Sequence, residues 1–162
     1  MRKHLLGASA SLALLIAGCG GPAATTTQPA SPAQTCVNAK AAHRAYMVVE
    51  HLSGATVQRC VGFDGDQINA DDLMKQSGIE YNTQTFSGLG KAVCQVDNEP
   101  AQFSECFPKD KPFWALLIST GGGPWTDAAS GVSAVNLKDG DALGWQYRAP
   151  TGSPSPLPTP KK

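Results

Sequence analysis

Long hydrophobic runs are missing from this 162-residue chain. Its most apolar stretch, residues 12–17 (Leu-Ala-Leu-Leu-Ile-Ala), falls well short of the roughly 20 residues a membrane-spanning helix needs. Charge is sparse, at 16% Asp, Glu, Lys and Arg, and no basic run occurs. Residues 36–149 carry nine bases against thirteen acids, so the electrostatic footprint of a nucleic-acid binder is absent. No Cys-x-x-Cys pair is present, no Gly-x-Ser-x-Gly elbow, and no histidine near a plausible nucleophile. The patterns of zinc knuckles and of hydrolase nucleophiles are thus excluded, and the chain reads as non-catalytic, without a catalytic cofactor.

Two partial motifs fail on inspection. Gly88-Leu89-Gly90-Lys91 has Thr85 and Ala92 where a phosphate loop requires Gly and Ser or Thr, and it reads as a turn. Asp64-Gly65-Asp66 with Asn69, Asp71 and Asp72 has Ile68 and Asn69 at the fifth and sixth positions, where a calcium loop needs an oxygen ligand and Gly. His43 and His51 lie eight residues apart in one expected strand, roughly 26 Å at about 3.3 Å per residue. One ion cannot bridge them, and they read as exposed strand residues.

What is present begins with Cys19. The basic start Met1-Arg2-Lys3, the short apolar run and the ending Ile16-Ala17-Gly18-Cys19 have the form of a secretory signal, too short and wrongly flanked for a membrane span. The ending resembles the lipobox of bacterial lipoproteins. That resemblance implies a signal peptide over 1–18 and palmitate-class lipid on the sulfur of Cys19. It places the mature chain at the extracytoplasmic face of the cell membrane. The alternative is an ordinary signal with an incidental cysteine. Residues 19–35 are small, uncharged and rich in Pro and Thr, the composition of a disordered spacer.

With Cys19 assigned to lipid, Cys36, Cys60, Cys94 and Cys106 remain. An even number in an oxidising compartment implies two disulfides with three possible connectivities. The short separation of Cys94 and Cys106 across a turn-rich segment favours 94–106 with 36–60.

Residues 36–149 form the folded unit. Residues 43–52 and 55–63 are rich in β-branched and aromatic residues around a Ser53-Gly54 turn, and they read as a hairpin. Asn69 is placed to cap a short helix over 70–77, with Asp71 and Asp72 in its first turn and Gly78 to stop it. Strands are expected over 91–96, 113–119, 132–137 and 142–148, the third following the Gly121-Gly122-Gly123-Pro124 turn. The expected class is α+β, a β-grasp-like mixed sheet with one short helix and two disulfides. Residues 150–162 alternate Pro with small residues and read as a disordered tail.

The domain's motifs fall in a defined serial order. Phe63-Asp64-Gly65-Asp66, a helix ending at Ser77-Gly78, the stretch from Gly88 to Asp97, and Phe113-Trp114 are its first elements. Trp125, Gly131 and the closing stretch from Asp139 to Tyr147 complete it. Over roughly residues 42–149 this resembles a small bacterial domain of unknown function related to the C-terminal domain of transcobalamin and intrinsic factor. The resemblance implies a β-grasp-like fold in a secreted or surface-anchored protein, with cobalamin or another corrinoid as ligand and an uptake transporter as partner. In one respect the chain departs from the family, which often places aromatics after the strand tryptophan. Here Ala115, Leu116 and Leu117 follow Trp114.

The candidate binding residues are aromatic. Trp114, Trp125 and Trp145 fall in the last third of the domain with Tyr147, beside the loop Gly121, Gly122 and Gly123. Strand alternation puts Trp145 and Tyr147 on one face and sets Trp114 opposite Phe113. Such a cluster is either the core of a small domain or a cover for a flat apolar ligand such as a corrin ring. The expected role is therefore a small-ligand binding module, with a protein-interaction module of the cell envelope as the alternative.

Overall fold

The computed structural model describes residues 35–151 and 153–162; the signal, Cys19 and nearly all of the expected spacer lie outside the described residues. In chain order the elements are β1 (His43–Glu50), β2 (Thr56–Phe63), β3 (Ile68–Asn69), α1 (Ala70–Ser77) and β4 (Tyr81–Phe86). There follow β5 (Gly90–Val96), β6 (Phe113–Ser119), β7 (Thr126–Asp127), β8 (Asn136–Leu137) and β9 (Ala142–Arg148). Among the described residues no helix is long and apolar enough to cross a membrane.

The main sheet runs β2-β1-β9-β6-β7. β1 and β2 form the opening antiparallel hairpin, and the last strand inserts parallel to β1 and antiparallel to β6. This is the β-grasp order, and the fold is α+β with a mixed sheet. The central strands β1 and β9 are buried over most of their length. A strand covered on both faces loses polar alternation, and residues 45–49 of β1 (Ala-Tyr-Met-Val-Val) show that loss.

One face of the sheet packs on α1. The Asn69 side chain accepts the Asp71 N–H at 3.0 Å, and Gly78, at φ 72°, ends the helix in the left-handed region. Leu73 and Met74 are fully buried against Met47, Val49, Leu143 and Trp145. Disulfides join Cys36 to Cys60 and Cys94 to Cys106, the first tying the chain's entry to β2 and the second tying β5 to the loop before β6.

Three expectations change. Residues 132–137 do not form one strand: Val132–Ala134 is a 3-10 turn, and only Asn136–Leu137 pairs, with Ile68–Asn69. Side chains take that segment's backbone groups, since Asn69 Nδ2 donates to the Ser133 and Val135 carbonyls at 3.1 Å each. An additional hairpin, β4 with β5, turns at Gly88 (φ 79°) and Gly90 (φ 88°). Finally, residues 153–162 are not a loose tail. They lie over the outer face of the sheet, the one away from α1, where Leu157 is buried with Val48, Ala115 and Leu117.

Candidate functional site: an apolar cleft beside the open edge of β6

Register decides which aromatics meet. β6 and β9 pair Trp114 with Tyr147 and Leu116 with Trp145, so these four side chains share the inner face. Trp145 is 2% exposed and donates its indole N–H to Met74 Sδ at 3.0 Å. Trp114, 3% exposed, donates to the Glu99 carbonyl at 2.7 Å. Its ring lies 4.9 Å from that of Tyr147 and edge-on to that of His51 at 5.8 Å. His51 is itself held by Glu99 (2.7 Å) and Asp97 (3.4 Å). His43 packs against Phe63 at 5.5 Å. Both histidines are half-buried beside aromatic rings, not exposed as expected. Among the described residues no group of three or more His, Cys, Asp or Glu is arranged to hold a metal ion.

The far side of β6 is only partly covered. β7 pairs with Leu117 and Ile118, and the Ala128 N–H donates to the Leu116 carbonyl at 2.9 Å. Backbone groups of alternate residues point to the same edge, so the N–H and C=O of Trp114 face the uncovered stretch. Across the gap stands β5, and residues 128–132 close one end. Gly131 permits that closure: its N–H donates to the Leu89 carbonyl at 2.8 Å, and a Cβ there would sit 2.3 Å from the Lys91 carbonyl oxygen.

The resulting cleft has a volume of about 310 Å³. Trp114, Trp145, Leu116, Val93 and Val132 line it, with Lys91, Asp127 and Arg148 as its charged residues. Phe107, also a lining residue, is 47% exposed, an apolar side chain left uncovered beside a hollow. Arg148 is paired with Asp127 at 2.7 Å and Lys91 with Asp71 at 2.8 Å, so the charges are already partnered. Such a cleft lies at the small end of ligand pockets, roughly 300–1,000 Å³. It accepts a single ring system or a pair of apolar side chains and does not enclose a whole macrocycle.

Asp71 fixes the wall formed by β5. It is 6% exposed and receives hydrogen bonds from Lys91, from Lys75 at 3.0 Å and from the Tyr81 hydroxyl at 2.9 Å. Burial alone would raise its pKa, but the bonds from Lys91, Lys75 and Tyr81 outweigh burial and hold the carboxyl below its ordinary value. Burial, reinforced by the bond to Asp71, pushes the Tyr81 hydroxyl up to about 12. Lys75 is also raised, by its bonds to Asp72 and Asp71.

The expected binding residues therefore do not converge. Trp114 and Trp145 line the cleft. Tyr147 stacks on Trp114 but faces a neighbouring hollow with Pro100, Phe103 and Phe113. Trp125 is on the opposite face of the sheet, packed with the C-terminal segment. The Gly121–Gly123 turn is pinned by Asp141, which accepts the Gly121 N–H at 2.8 Å, and by the Ser119 hydroxyl, which donates to the Gly123 carbonyl at 2.7 Å. Val93, Leu116, Val132 and Phe107 escaped sequence reasoning, because the gap that gives them a shared surface arises from pairing between distant strands.

No protein-family model matches the chain, and no curated protein matches it. Fourteen chains of solved structures are similar to it. One is a "putative metal binding protein" from Ruminococcus gnavus ATCC 29149, at 14% identity and a TM-score of 0.49, covering 67% of this chain and 99% of its own. At that distance no functional property passes from it to this chain.

Proposed function

We propose that this chain is a non-catalytic, extracytoplasmic binding lipoprotein, anchored through Cys19, whose small-ligand site is the cleft between β5 and β6. One observation carries the reading: an apolar hollow walled by Trp114 and Trp145, with Phe107 exposed beside it. Side chains of this kind hold a flat apolar group, and partnered charges at the periphery leave the hollow itself without a strong electrostatic demand. Two disulfides fit an oxidising compartment outside the cytoplasm. The resemblance to the transcobalamin-related domain makes a corrinoid the first ligand to try, presented to an uptake transporter. Given the cleft's size, the contact is with one edge or arm of the corrinoid.

A spectral and calorimetric titration of cobalamin into the oxidised domain tests this. Saturable binding at micromolar or tighter is expected, lost in Ser130→Phe, which fills the cleft, and retained in Trp125→Ala, on the opposite face. Absence of heat and spectral change into the high micromolar range overturns the corrinoid reading. Binding that survives Ser130→Phe removes the cleft as the site. Cys19→Ser, followed by membrane fractionation, tests the tether: the variant is expected in the soluble fraction.

The envelope-interaction alternative is favoured by one feature, the open backbone edge of β6 at Trp114, to which an extended segment can add as a strand.

A further inference from the structure

The C-terminal segment makes contacts that go beyond filling space. Every residue from 153 to 160 is either a proline or directly precedes one. Proline fixes φ, and the residue before it is driven to extended conformations, so the segment is stiff before it docks and loses little entropy on docking. The sheet meets it with three specific features. Trp125 donates its indole N–H to the Pro158 carbonyl at 3.3 Å. Gln146, 3% exposed with the segment in place, donates from Nε2 to the Ser155 carbonyl at 2.7 Å and to Glu50 Oε1 at 2.8 Å. Between these two anchors Leu157 sinks into a slot made by Gly144, where a Cβ would lie 2.5 Å from Leu157 Cδ1 and 2.8 Å from Trp125 Cζ3.

The two accepting carbonyls are three residues apart. A polyproline II helix has three residues per turn, so carbonyls at that spacing project from the same side. An indole N–H and a buried carboxamide, set to receive same-side carbonyls around an apolar slot, form a reader for proline-rich chains. We propose that the outer face of the sheet is a recognition groove for extended proline-rich segments of other polypeptides, and that the chain's own tail is its resident occupant. A partner of this chemistry enters by displacing residues 153–160. The groove lies on the opposite face of the sheet from the β5–β6 cleft, shares with it the Asp127–Arg148 pair at the edge, and does not depend on the ligand reading of that cleft.

The test uses the full chain and a synthetic peptide of residues 150–162, followed by calorimetry. Leu157→Asp in the chain unseats the tail, and the free peptide is then expected to bind saturably. On the wild-type chain it should bind at least about tenfold more weakly, because a tethered competitor acts at an effective concentration of about millimolar. A peptide carrying Leu157→Asp, or glycine at both 156 and 158, should lose binding without any effect on the fold of the protein. In dilute wild-type chain, nuclear Overhauser contacts between the Leu157 methyls and the Trp125 ring are expected. Absence of those contacts, equal peptide affinity for both chains, or unchanged binding of the altered peptides would each overturn the proposal.

Discussion

Gly131→Ala probes the construction of the cleft more directly than any change to an aromatic. The glycine has φ −73°, which any residue adopts, so the substitution tests space and not backbone conformation. The added Cβ would meet the Lys91 carbonyl oxygen at 2.3 Å, the Lys91 carbonyl carbon at 2.8 Å and the Leu89 carbonyl oxygen at 2.9 Å. All three are backbone atoms of the strand and its entry, and none can swing aside. Restoring ordinary contact requires the 128–134 segment to lift by about 1 Å. The Gly131 N–H bond to Leu89, now 2.8 Å, then passes beyond hydrogen-bonding range. Overpacking costs about 1–3 kcal/mol and the lost bond about 1 kcal/mol more, a destabilisation of about 2–4 kcal/mol. That corresponds to a fall in Tm of roughly 10 °C. Urea unfolding of the oxidised protein at neutral pH measures it, with Gly65→Ala as control. Gly65 has its nearest neighbour at 3.5 Å, and a change within about 0.5 kcal/mol is expected there. If Gly131→Ala also stays within about 0.5 kcal/mol of wild type, the segment is free to lift and the argument for a rigid cleft wall fails.

Other predictions concern the staples and the buried charge. Replacing Cys36 and Cys60, 24 residues apart, should cost about 3.4 kcal/mol, and replacing Cys94 and Cys106, 12 apart, about 2.8 kcal/mol. A reversed order in urea unfolding would contradict the loop-entropy account. Asp71→Asn should cost about 2 kcal/mol at neutral pH through its charge-assisted bonds. Because the folded carboxyl titrates below its ordinary value, that stabilisation is complete above about pH 4 and disappears as pH falls through the lower folded value. An Asp71→Asn protein that keeps the wild-type acid limb in a pH series of urea midpoints would refute this. At alkaline pH the sign is opposite: with Tyr81 at about 12, stability is lost as pH rises from the ordinary value of 10.0 through 12, and Tyr81→Phe should flatten that limb.

The two surfaces relate differently to the chain's local chemistry. The outer groove depends on residues distinctive in the local sequence, Trp125 after Pro124 and an alternating-proline tail. Their partnership is visible only once Gly144 is placed between them. The inner cleft is built from residues that look like ordinary core, and two of its walls, Trp114 and Trp145, are indeed nearly inaccessible except at the gap beside β6.

Much was determined locally. The hairpin of β1 and β2, the helix capped by Asn69 and stopped by Gly78, β6 and β9 follow from periodicity and caps, which act within a few residues. The even cysteine count called for two disulfides, and spacing favoured the pairing that the fold makes among three possible ones. Tertiary structure decided the rest. β4 is polar and alternates at half-burial, so it becomes a strand only when β5 supplies its partner. Around the 132–134 turn, which the Ala134 N–H closes on the Gly131 carbonyl, Asn69, more than sixty positions earlier, takes the Ser133 and Val135 carbonyls. The tail is held by Gln146 and Trp125 despite a composition that reads as disorder, since a chain already stiffened by proline needs little apolar burial to dock. Sequence alternation assigned Trp145 and Tyr147 to one face, but which face meets a hollow depends on how strands far apart in the chain pair, and local chemistry carries no record of that.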